Sequence, residues 1–474
     1  MFKALLTVER YKWTALEEYW HSGFEGGLPG MFVEFINPRG ILVVSDPHIV
    51  QELYISKNKH FEKSTKMKRI LSRFIGDSML FDKSTQLWGE KRKVLSGALY
   101  KDRLNGMLEK VIGITEGAIG GWMGKREIDI TQEIGTLVSE VVMQCLFGLP
   151  SDQMDKIPYS ENGTLTHLNP GLFLQKNFVM HMKRQMNPLR HYFDAFDKVL
   201  FTGTERETMR NSETFRQFIH SMIGKGVQKG GDFLSTMLQD EMFRGRDEMV
   251  VDECLTFMLA ATMTTTLLIT NSIYYLNQNN ETALAKLRGE LLTIVNGESI
   301  PTKAQDWIQL LLKEELIHLS PYLTHCIQET LRLDPSLRFS TIHQIEGGIE
   351  LGGIRILDKQ PCIVNIAELH SRRDQWREPG VYRPERFDPA FPEWYLTPNG
   401  QKRHPCSFSP FLGGKRVCVG KTFAESIAKC ILSMLFQSLE FEFVDESVKF
   451  DKPAGTFFHK QPDYKMRITP FKPK

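Results

Sequence analysis

Apolar residues recur along most of the chain at the three- and four-residue spacing of amphipathic helices, most clearly between residues 105 and 245. Residues 247 to 278 form one long helical pattern, with the small and hydroxyl-bearing centre Leu259-Ala-Ala-Thr-Met-Thr-Thr-Thr266. If continuous, this helix would be about 45 Å long. Strand-like alternation is confined to short segments such as Ile41–Val44 and residues 338 to 356. The pattern predicts a mainly α fold with a smaller β part.

The small-residue tract of this long helix has two interpretations. Side chains such as Ala260 and Ala261 would let a flat cofactor lie against the helix. The threonine hydroxyls can bond to the carbonyl group four residues earlier, bend the helix and host water. A buried helix with ordinary threonine packing explains the tract equally well, so it does not by itself indicate a cofactor.

A loop punctuated by glycine near the C-terminus carries the strongest candidate chemistry. Residues 408 to 420 read FSPFLGGKRVCVG, and an apolar helical pattern follows. The N-terminus of that helix directs free N–H groups at Cys418 and favours its thiolate form. A lone thiolate held in this way suits a metal centre with no other protein ligand, such as a haem iron. On its own, however, a single cysteine is more often a small buried hydrophobe.

Composition and charge exclude several other classes of function. The chain has 474 residues and a formal net charge of +2, which gives no reason to expect a nucleic-acid partner. Its seven cysteines show no CxxC, CxxCH or zinc spacing, which indicates reduced thiols on a cytosol-facing chain. No linker or repeat divides the sequence, so we expect one large domain over residues 1–474, with a small β-sheet within about residues 1–60.

The cysteine loop resembles the haem-binding signature of the cytochrome P450 family. The match covers five spaced positions: Phe411, Gly414, Arg416, Cys418 and Gly420. The resemblance implies a P450 fold in which haem b, iron protoporphyrin IX, lies between the central helix and the helix that follows the loop. It also implies that Cys418 is the axial iron ligand, that Phe411 packs beside the thiolate and that Arg416 pairs with a haem propionate. Pro410 and the two glycines are further expected haem contacts.

Further landmarks of the family follow in the expected order. Trp88 and Arg92 share one helix face and resemble the pair that donates hydrogen bonds to a haem propionate. An exposed basic helix with one packed tryptophan is the alternative interpretation of that pair. Glu329, Arg332 and Arg386 resemble the Glu–Arg–Arg triad that locks the core behind the haem and does no chemistry.

The central helix resembles the family's oxygen-binding helix, with two departures. Thr264 takes the place of the threonine that helps deliver protons to dioxygen, and Thr265 beside it is a second catalytic candidate. Ala261 replaces a glycine and Met263 replaces the usual acid. Because Met263 cannot relay protons, we expect the path to run through Thr264 and water.

The segment after the Glu329–Arg332 pair offers two candidates for the remaining propionate contact. His343 falls where many members of the family place an arginine, and a histidine can still donate a hydrogen bond there. Arg338 lies nearby and is the rival candidate. Alternation over this segment and over residues 349–356 predicts a hairpin of strands.

The resemblance implies a haem-thiolate monooxygenase that inserts one atom of dioxygen into a small apolar organic substrate. We expect electrons from NADPH through a separate diflavin reductase or another donor, because the chain has no flavin or iron–sulfur signature. Basic residues that could form the docking face are Lys91–Lys93, Lys402–His404, Lys415 and Lys421. Ordinary solvated charge is the alternative explanation of these residues.

Two other functions stay open at this point. A haem isomerase or dehydratase would rearrange a preformed peroxide without electrons, and the missing acid at Met263 mildly favours it. The retained Thr264 and a haem loop without an insertion favour the monooxygenase. A non-enzymatic haem sensor is less favoured, because the distal threonine is present and no signalling domain is seen.

The N-terminal residues MFKALLTVERYKW contain neither a signal peptide nor an apolar run long enough to span a membrane. Microsomal P450s carry an N-terminal membrane anchor, followed by a proline-rich hinge. Either an anchor has been removed or the protein naturally lacks one, and the shortened segment before the fold favours removal. The expected location is then the cytosolic face of the endoplasmic reticulum membrane, with the full-length protein membrane-associated. Without an anchor, the expected location is the cytoplasm.

Overall fold

Helices dominate the computed structural model of the protein. It describes residues 28–34, 40–99, 101–185, 199, 202–224, 232–295, 300–312, 320–449 and 464–472. The helices of these segments are α1 Pro47–Gln51, α2 Thr65–Ile75, α3 Gln86–Ala98, α4 Lys101–Trp122, α5 Ile130–Phe147, α6 Pro170–Gln185, α7 Gly203–Gly224, α8 Phe233–Gln239, α9 Asp247–Gln278, α10 Ala285–Ile294, α11 Ala304–Leu312, α12 Pro321–Leu333, α13 Ile366–Leu369, α14 Pro392–Tyr395 and α15 Lys421–Ser438. The predicted mainly α fold is therefore confirmed.

The strands form small sheets at the periphery of the helices. They are β1 Met31–Glu34, β2 Ile41–Val44, β3 Phe61–Lys63, β4 Glu127–Asp129, β5 Ile157–Glu161, β6 Thr164–Leu168, β7 His343–Ile345, β8 Ile349–Leu351, β9 Ile354–Ile356, β10 Pro361–Val364, β11 Leu439–Phe443 and β12 Lys465–Pro470. A five-stranded sheet has the order β1-β2-β10-β7-β3, and a three-stranded sheet has the order β11-β12-β4. In the larger sheet, Lys63 of β3 lies directly opposite His343 of β7.

The central helix α9 packs against α5, α7, α12 and α15, and its residues form part of the largest hydrophobic core. It is also the helix, among the described residues, that is long and apolar enough to cross a membrane, with a mean hydropathy of 1.4 over its most apolar window. Because 67% of that window is buried inside the protein, its apolar character is explained by core packing.

Helix α1 begins at a cap that suits its sequence. Asp46 caps it by accepting hydrogen bonds from the N–H groups of His48 and Ile49, and Pro47 occupies the first turn. The α-helix then ends at Gln51 and continues as one π-helical turn, Glu52–Ser56. This turn places Tyr54 against the cysteine loop, which lies far along the chain.

Two sequence expectations about β structure have different outcomes. The predicted strand Ile41–Val44 is β2, and its four side chains are buried. The hairpin predicted around residues 338–356 is narrower than expected: β8 pairs with β9, whereas β7 pairs with β3 and β10. Of the expected N-terminal sheet region, residues 1–27 and 35–39 lie outside the described residues.

Candidate active site

The cysteine loop is closed by a hydrogen bond across its ends. The N–H of Cys418 donates to the main-chain oxygen of Phe411 over 2.9 Å. Arg92 of α3 donates to the main-chain oxygen of Val417 over 2.5 Å, so the loop is also tied to the neighbouring helix. Gly420 caps α15, and its main-chain N–H bonds to the Cys418 thiol. The cysteine is thereby held at the N-terminus of a helix, as its sequence predicts.

The Cys418 side chain is accessible to solvent, yet protein atoms surround it closely, as at the floor of a concave site. This desolvation raises the pKa of the thiol, and the Gly420 N–H, Arg92 and Lys421 only partly oppose it. The expectation that the helix N-terminus alone favours the thiolate is therefore incomplete. A positively charged metal ion would supply the stabilisation that the protein leaves out, because a coordinating thiol is deprotonated.

Two glycines of this loop allow it to pack closely against Tyr54. One of them is Gly414, which was predicted as a haem contact. A Cβ atom at Gly414, which has φ +60°, would lie 2.2 Å from the Tyr54 carbonyl oxygen, and one at Gly413 would lie 2.4 Å from the Tyr54 ring. Both glycines are needed for the loop to rest on the π-helical turn.

One face of α9 is open in the middle of an otherwise buried helix. Residues 250–258 are buried, whereas Ala260 is exposed and Ala261, Met263 and Thr264 are half-buried. A small accessible face here fits a flat cofactor or a substrate better than core packing. The helix is continuous through this tract.

The Thr264 hydroxyl donates to the Ala260 carbonyl over 2.6 Å, the bond expected of a threonine in a helix. Its lone pairs remain able to accept a hydrogen bond from a molecule in the open face. Thr265, predicted as a second catalytic residue, is 2% exposed. It lies about 100° further around the helix and points into the core, so the prediction for Thr265 has no support.

The open face of α9 and the cysteine loop belong to one region of the protein. Phe257, two turns before Thr264, and Phe423, in the first turn of α15, have ring centres 5.6 Å apart. The Ser336 hydroxyl, which follows α12, donates to the Thr264 carbonyl over 2.9 Å. The helix that carries the predicted distal threonine therefore contacts the helix that directly follows the predicted ligand.

Trp88 lies between two guanidinium groups. The Arg416 guanidinium is 4.3 Å from the ring centre, and that of Arg92 is 5.5 Å from it. The structure differs from the sequence prediction in one respect: the indole N–H donates to the Met79 carbonyl over 3.2 Å, so it already has an acceptor. Trp88 thus holds two cations in place through its ring.

A buried acid and a buried lysine, both missed by sequence analysis, complete this cluster. Glu62 accepts hydrogen bonds from Arg416 over 2.7 Å and from Lys415. Burial would raise the pKa of Glu62, but these partners and Ser84 hold it below its usual value. Its neighbour Lys63 is 4% exposed, and burial together with the nearby Arg416 lowers the pKa of its amine to about 7.

His343 does not have the geometry of a propionate donor. It is fully buried, stacked on Phe61 at 4.1 Å, and its Nδ1 lies 2.6 Å from the Thr341 carbonyl oxygen. That carbonyl fixes the ring proton on Nδ1, so Nε2 can only accept. Burial and Lys63 lower its pKa well below the ordinary value, which keeps the ring neutral. The rival Arg338 lies 3.9 Å from Asp334, a contact that gives no support to propionate binding.

The donor set fits an anionic, flat cofactor. Arg416 Nε is buried and makes no hydrogen bond within the described part of the chain, so this N–H can donate to a ligand. Arg92, Arg416 and Lys63 carry more positive charge than Glu62 neutralises, in a place where burial lowers the pKa of all three cations. A ligand with two carboxylates would remove this imbalance, and haem b is such a ligand.

The predicted triad is assembled. Glu329 accepts two hydrogen bonds from Arg332, at 2.7 and 2.8 Å, and one from Arg386 at 3.1 Å. All three side chains are 1% exposed or less. Arg332 also donates to the carbonyl groups of His370 and Pro379 over 3.0 and 2.8 Å. Full pairing of these buried charges explains how the protein tolerates them.

Lys91 was predicted to lie on the docking face, but it is buried. Lys91 is 2% exposed and points into the protein, where its amine lies 3.2 Å from Glu253 of α9. Burial raises the pKa of Glu253 to about 7, and Lys91 opposes that rise. Lys91 is therefore a buried structural residue, while Lys93, Lys402 and Lys421 are exposed.

The local sequence around Glu62, Lys63 and Tyr54 does not indicate that these residues belong to the site. Glu62 and Lys63 are charged, and such residues are normally predicted to face solvent, whereas all three residues of β3 are buried. Arg416, which pairs with Glu62, and Thr341, which pairs with Lys63, lie more than 270 positions away along the chain. Tyr54 was missed because a π-helical turn is not visible in the hydrophobic pattern.

Comparison with known proteins shows the family of this chain. The family model described as Cytochrome P450 matches residues 27–468. "Cytochrome P450 CYP749A22" of Panax ginseng is 27% identical over 86% of this chain and 74% of its own length. "Leukotriene-B4 omega-hydroxylase 3" of Mus musculus is 23% identical over 86% of this chain and 77% of its own length. The crystal structure of the cytochrome P450DA heme domain has a TM-score of 0.74 at 19% identity, covering 94% of this chain and 90% of that one.

Proposed function

The chain belongs to the cytochrome P450 family and is a haem-dependent monooxygenase, and we propose that Cys418 supplies the axial thiolate. The observation that carries this proposal is the held cysteine: its loop is closed on Phe411, tied to Arg92 and left accessible at its thiol. Phe411, half-buried in the same loop, is the aromatic neighbour expected beside the ligand, and Pro410 and Gly420 frame the loop.

The haem propionates are assigned to the cationic cluster around Trp88. Arg416 has an unpartnered Nε among the described residues, and Lys63 and Arg92 add further charge. Many members of the family have a propionate-binding arginine at the position of His343. Lys63, which lies opposite His343 in the sheet, takes over that role. Its amine is close enough to Arg416 for the two charges to interact. Glu62 orients Arg416 by accepting a hydrogen bond from it over 2.7 Å.

Bound haem supplies the oxygen chemistry, in which one atom of dioxygen enters the substrate and the other leaves as water. The protein's part is to hold the thiolate, to orient the cofactor and to move protons. The Thr264 hydroxyl, fixed by its bond to Ala260, accepts a hydrogen bond from a molecule in the open face of α9. It passes a proton on by exchange with water, because Met263 has no proton to give.

Electrons come from a separate donor, for which we propose an NADPH-dependent diflavin reductase. Support for a basic docking face now rests on Lys93, Lys402 and Lys421, which are exposed. Lys415 is bound to Glu62 and Lys91 is buried, so these two are excluded from it. The location proposed for a full-length protein with an anchor is the cytosolic face of the endoplasmic reticulum membrane.

The substrate proposed is a small apolar organic molecule. The open face of α9 is formed by alanine, methionine and the methyl group of threonine, which offer an apolar surface with one hydroxyl. A relative named as an omega-hydroxylase is consistent with attack on an unactivated carbon–hydrogen bond. The fold itself does not choose among apolar molecules.

A screen tests the proposal. Fatty acids, sterols and aromatic compounds are added to the haem-loaded protein, and the low-to-high-spin shift of the haem spectrum is recorded. Compounds that shift the spectrum are then incubated with NADPH and a diflavin reductase, and oxygenated products are measured. A second reaction contains a lipid hydroperoxide without NADPH. Product in the second reaction alone would identify an isomerase or dehydratase, which the missing acid at Met263 keeps under consideration.

A further inference from the structure

His370 joins the cysteine loop to the helix of the Glu329–Arg332 pair. Its ring is 0% exposed and follows the short helix α13. The main-chain N–H of Ser409 donates to its Nε2 over 2.9 Å, and its Nδ1 lies 3.1 Å from the main-chain oxygen of Leu331. One ring therefore bridges the start of the loop and the end of α12.

The two bonds allow the ring one protonation state. A main-chain N–H can only donate and a carbonyl can only accept, so Nδ1 carries the proton and Nε2 is bare. Burial, assisted by the charge of Arg332, lowers the pKa of His370 to about 3. The ring consequently stays neutral at physiological pH, and the bond to Ser409 is never lost to protonation.

A series of bonds leads from this ring to the cysteine. Ser409 accepts a hydrogen bond from the N–H of Leu412 over 3.1 Å, and the carbonyl of Phe411 receives the N–H of Cys418 over 2.9 Å. On the other side, Arg332 donates to the main-chain oxygen of His370 over 3.0 Å. The buried triad is thus connected with the loop through one histidine.

We propose that His370 is a positioning residue for Cys418: it fixes the first turn of the cysteine loop on α12 and thereby stabilises the cysteine–iron bond. The proposal rests on the proposed function, since it requires haem at Cys418. The proposal also connects the Glu329–Arg332–Arg386 triad with the cysteine loop. Arg332 bonds to His370, and His370 bonds to Ser409 of the loop, so the triad supports the loop as well as the core.

Three variants separate positioning from general stability. His370→Phe keeps an aromatic ring next to Phe408, whose centre lies 5.2 Å away, but removes both ring hydrogen bonds. His370→Gln retains one donor and one acceptor and is the conservative rescue. Tyr464→Phe is the matched control, because it removes a buried hydrogen bond to the Thr270 carbonyl, 2.8 Å long, rather than one to the loop.

The measurement is made on haem-loaded protein in moderate guanidinium chloride. The loss of the thiolate-type spectrum of the reduced carbon monoxide complex is followed beside the far-ultraviolet circular dichroism. We expect His370→Phe to lose the thiolate signal about tenfold faster than wild type while its helices persist. His370→Gln should stay within about threefold of wild type, and Tyr464→Phe should lose both signals together.

The proposal is overturned if His370→Phe also loses both signals together, or if His370→Gln loses the thiolate as fast as His370→Phe. If His370→Phe binds no haem, a second measurement replaces the spectral one. Hydrogen exchange of the Ser409 amide is then measured in wild type and in His370→Gln. Slow exchange in both supports the bridge, and exchange as fast as that of the exposed Lys421 amide refutes it. A wild-type protein without a thiolate-type spectrum would instead refute the proposed function.

Discussion

Arg92 donates a hydrogen bond 2.5 Å long to the main-chain oxygen of Val417, the residue directly before Cys418. A side chain from α3 therefore satisfies a carbonyl group of the cysteine loop from a position 325 residues earlier in the chain. Burial lowers the pKa of Arg92, and the sulfur of Cys418 opposes that effect, so the guanidinium favours the thiolate form of Cys418 over the thiol.

Replacing Arg92 by leucine should weaken both the loop and haem binding. The Val417 carbonyl would lose its charged donor, a change that costs about 1–3 kcal/mol when the group stays buried. We expect faster transfer of haem from the variant to apomyoglobin and a lower midpoint in urea. Lys93→Leu, at the exposed neighbouring position, is the control and should behave as wild type. Equal haem transfer from both variants would remove Arg92 from the site.

Haem retention should depend on pH through Lys63. Without a cofactor, the pKa of this buried amine is lowered to about 7. Two propionates nearby would raise that pKa, so the extra affinity is fully present below about pH 7. It is lost as the pH rises through the higher pKa of the bound state.

Haem transfer from wild type should therefore accelerate between pH 7 and 9, by up to about tenfold per pH unit. In Lys63→Met this pH dependence should disappear, and transfer should be fast throughout. Ionic strength is held constant to separate titration from screening. An identical pH profile in the two proteins would show that Lys63 is not near the propionates.

Thr264→Val should divert electrons from product to hydrogen peroxide. The variant loses the hydroxyl bonded to Ala260, and product formed per NADPH should fall by about tenfold or more. Thr264→Ser should restore most of it. Thr266→Val is the control, because Thr266 makes the same kind of bond, 2.8 Å to the Thr262 carbonyl, on another face of the helix. A similar loss in Thr266→Val would indicate a helix defect instead of a proton path.

Ser336 should modulate the same property, since its hydroxyl donates to the Thr264 carbonyl. We expect Ser336→Ala to increase peroxide release in the wild-type background and to change nothing in Thr264→Val. Additive effects of the two substitutions would mean that Ser336 acts independently of Thr264.

Charge reversal separates the docking face from the core. Lys402→Glu should raise the reductase concentration needed for half-maximal turnover, an effect that high salt abolishes. Lys465→Glu, at an exposed strand position outside the predicted face, should leave that reductase concentration unchanged.

Lys91→Glu should instead destabilise the fold by about 3–5 kcal/mol, because it places an acid beside the buried Glu253. Normal folding of Lys91→Glu would contradict its buried position.

Sequence patterns predicted those features that depend on local spacing. The central helix was expected at residues 247–278 and is observed at Asp247–Gln278, because a long apolar repeat has few other solutions. The pairing of Glu329 with Arg332 also follows from helix geometry. Arg386 lies far from both in the chain, and it was predicted as the third member of the triad from the order of the family motifs.

Contacts that depend on tertiary packing could not be predicted from the sequence. Glu62 meets Arg416 only after β3 is buried, and His370 meets Ser409 only after α13 packs beneath the loop. The choice of His343 as a propionate donor was reasonable by position, but the Thr341 carbonyl fixes its tautomer. Burial, which the sequence shows poorly for charged residues, decides these cases.

The most direct test of the account is the spectrum of the reduced carbon monoxide complex. Wild-type protein, reconstituted with haem, should show the long-wavelength band of a thiolate-ligated iron, and Cys418→Ser should lose it. Cys406→Ser, which changes a partly buried cysteine earlier in the same region, should keep it. A thiolate band that survives in Cys418→Ser, or that disappears only in Cys406→Ser, would contradict the assignment of Cys418 as the iron ligand.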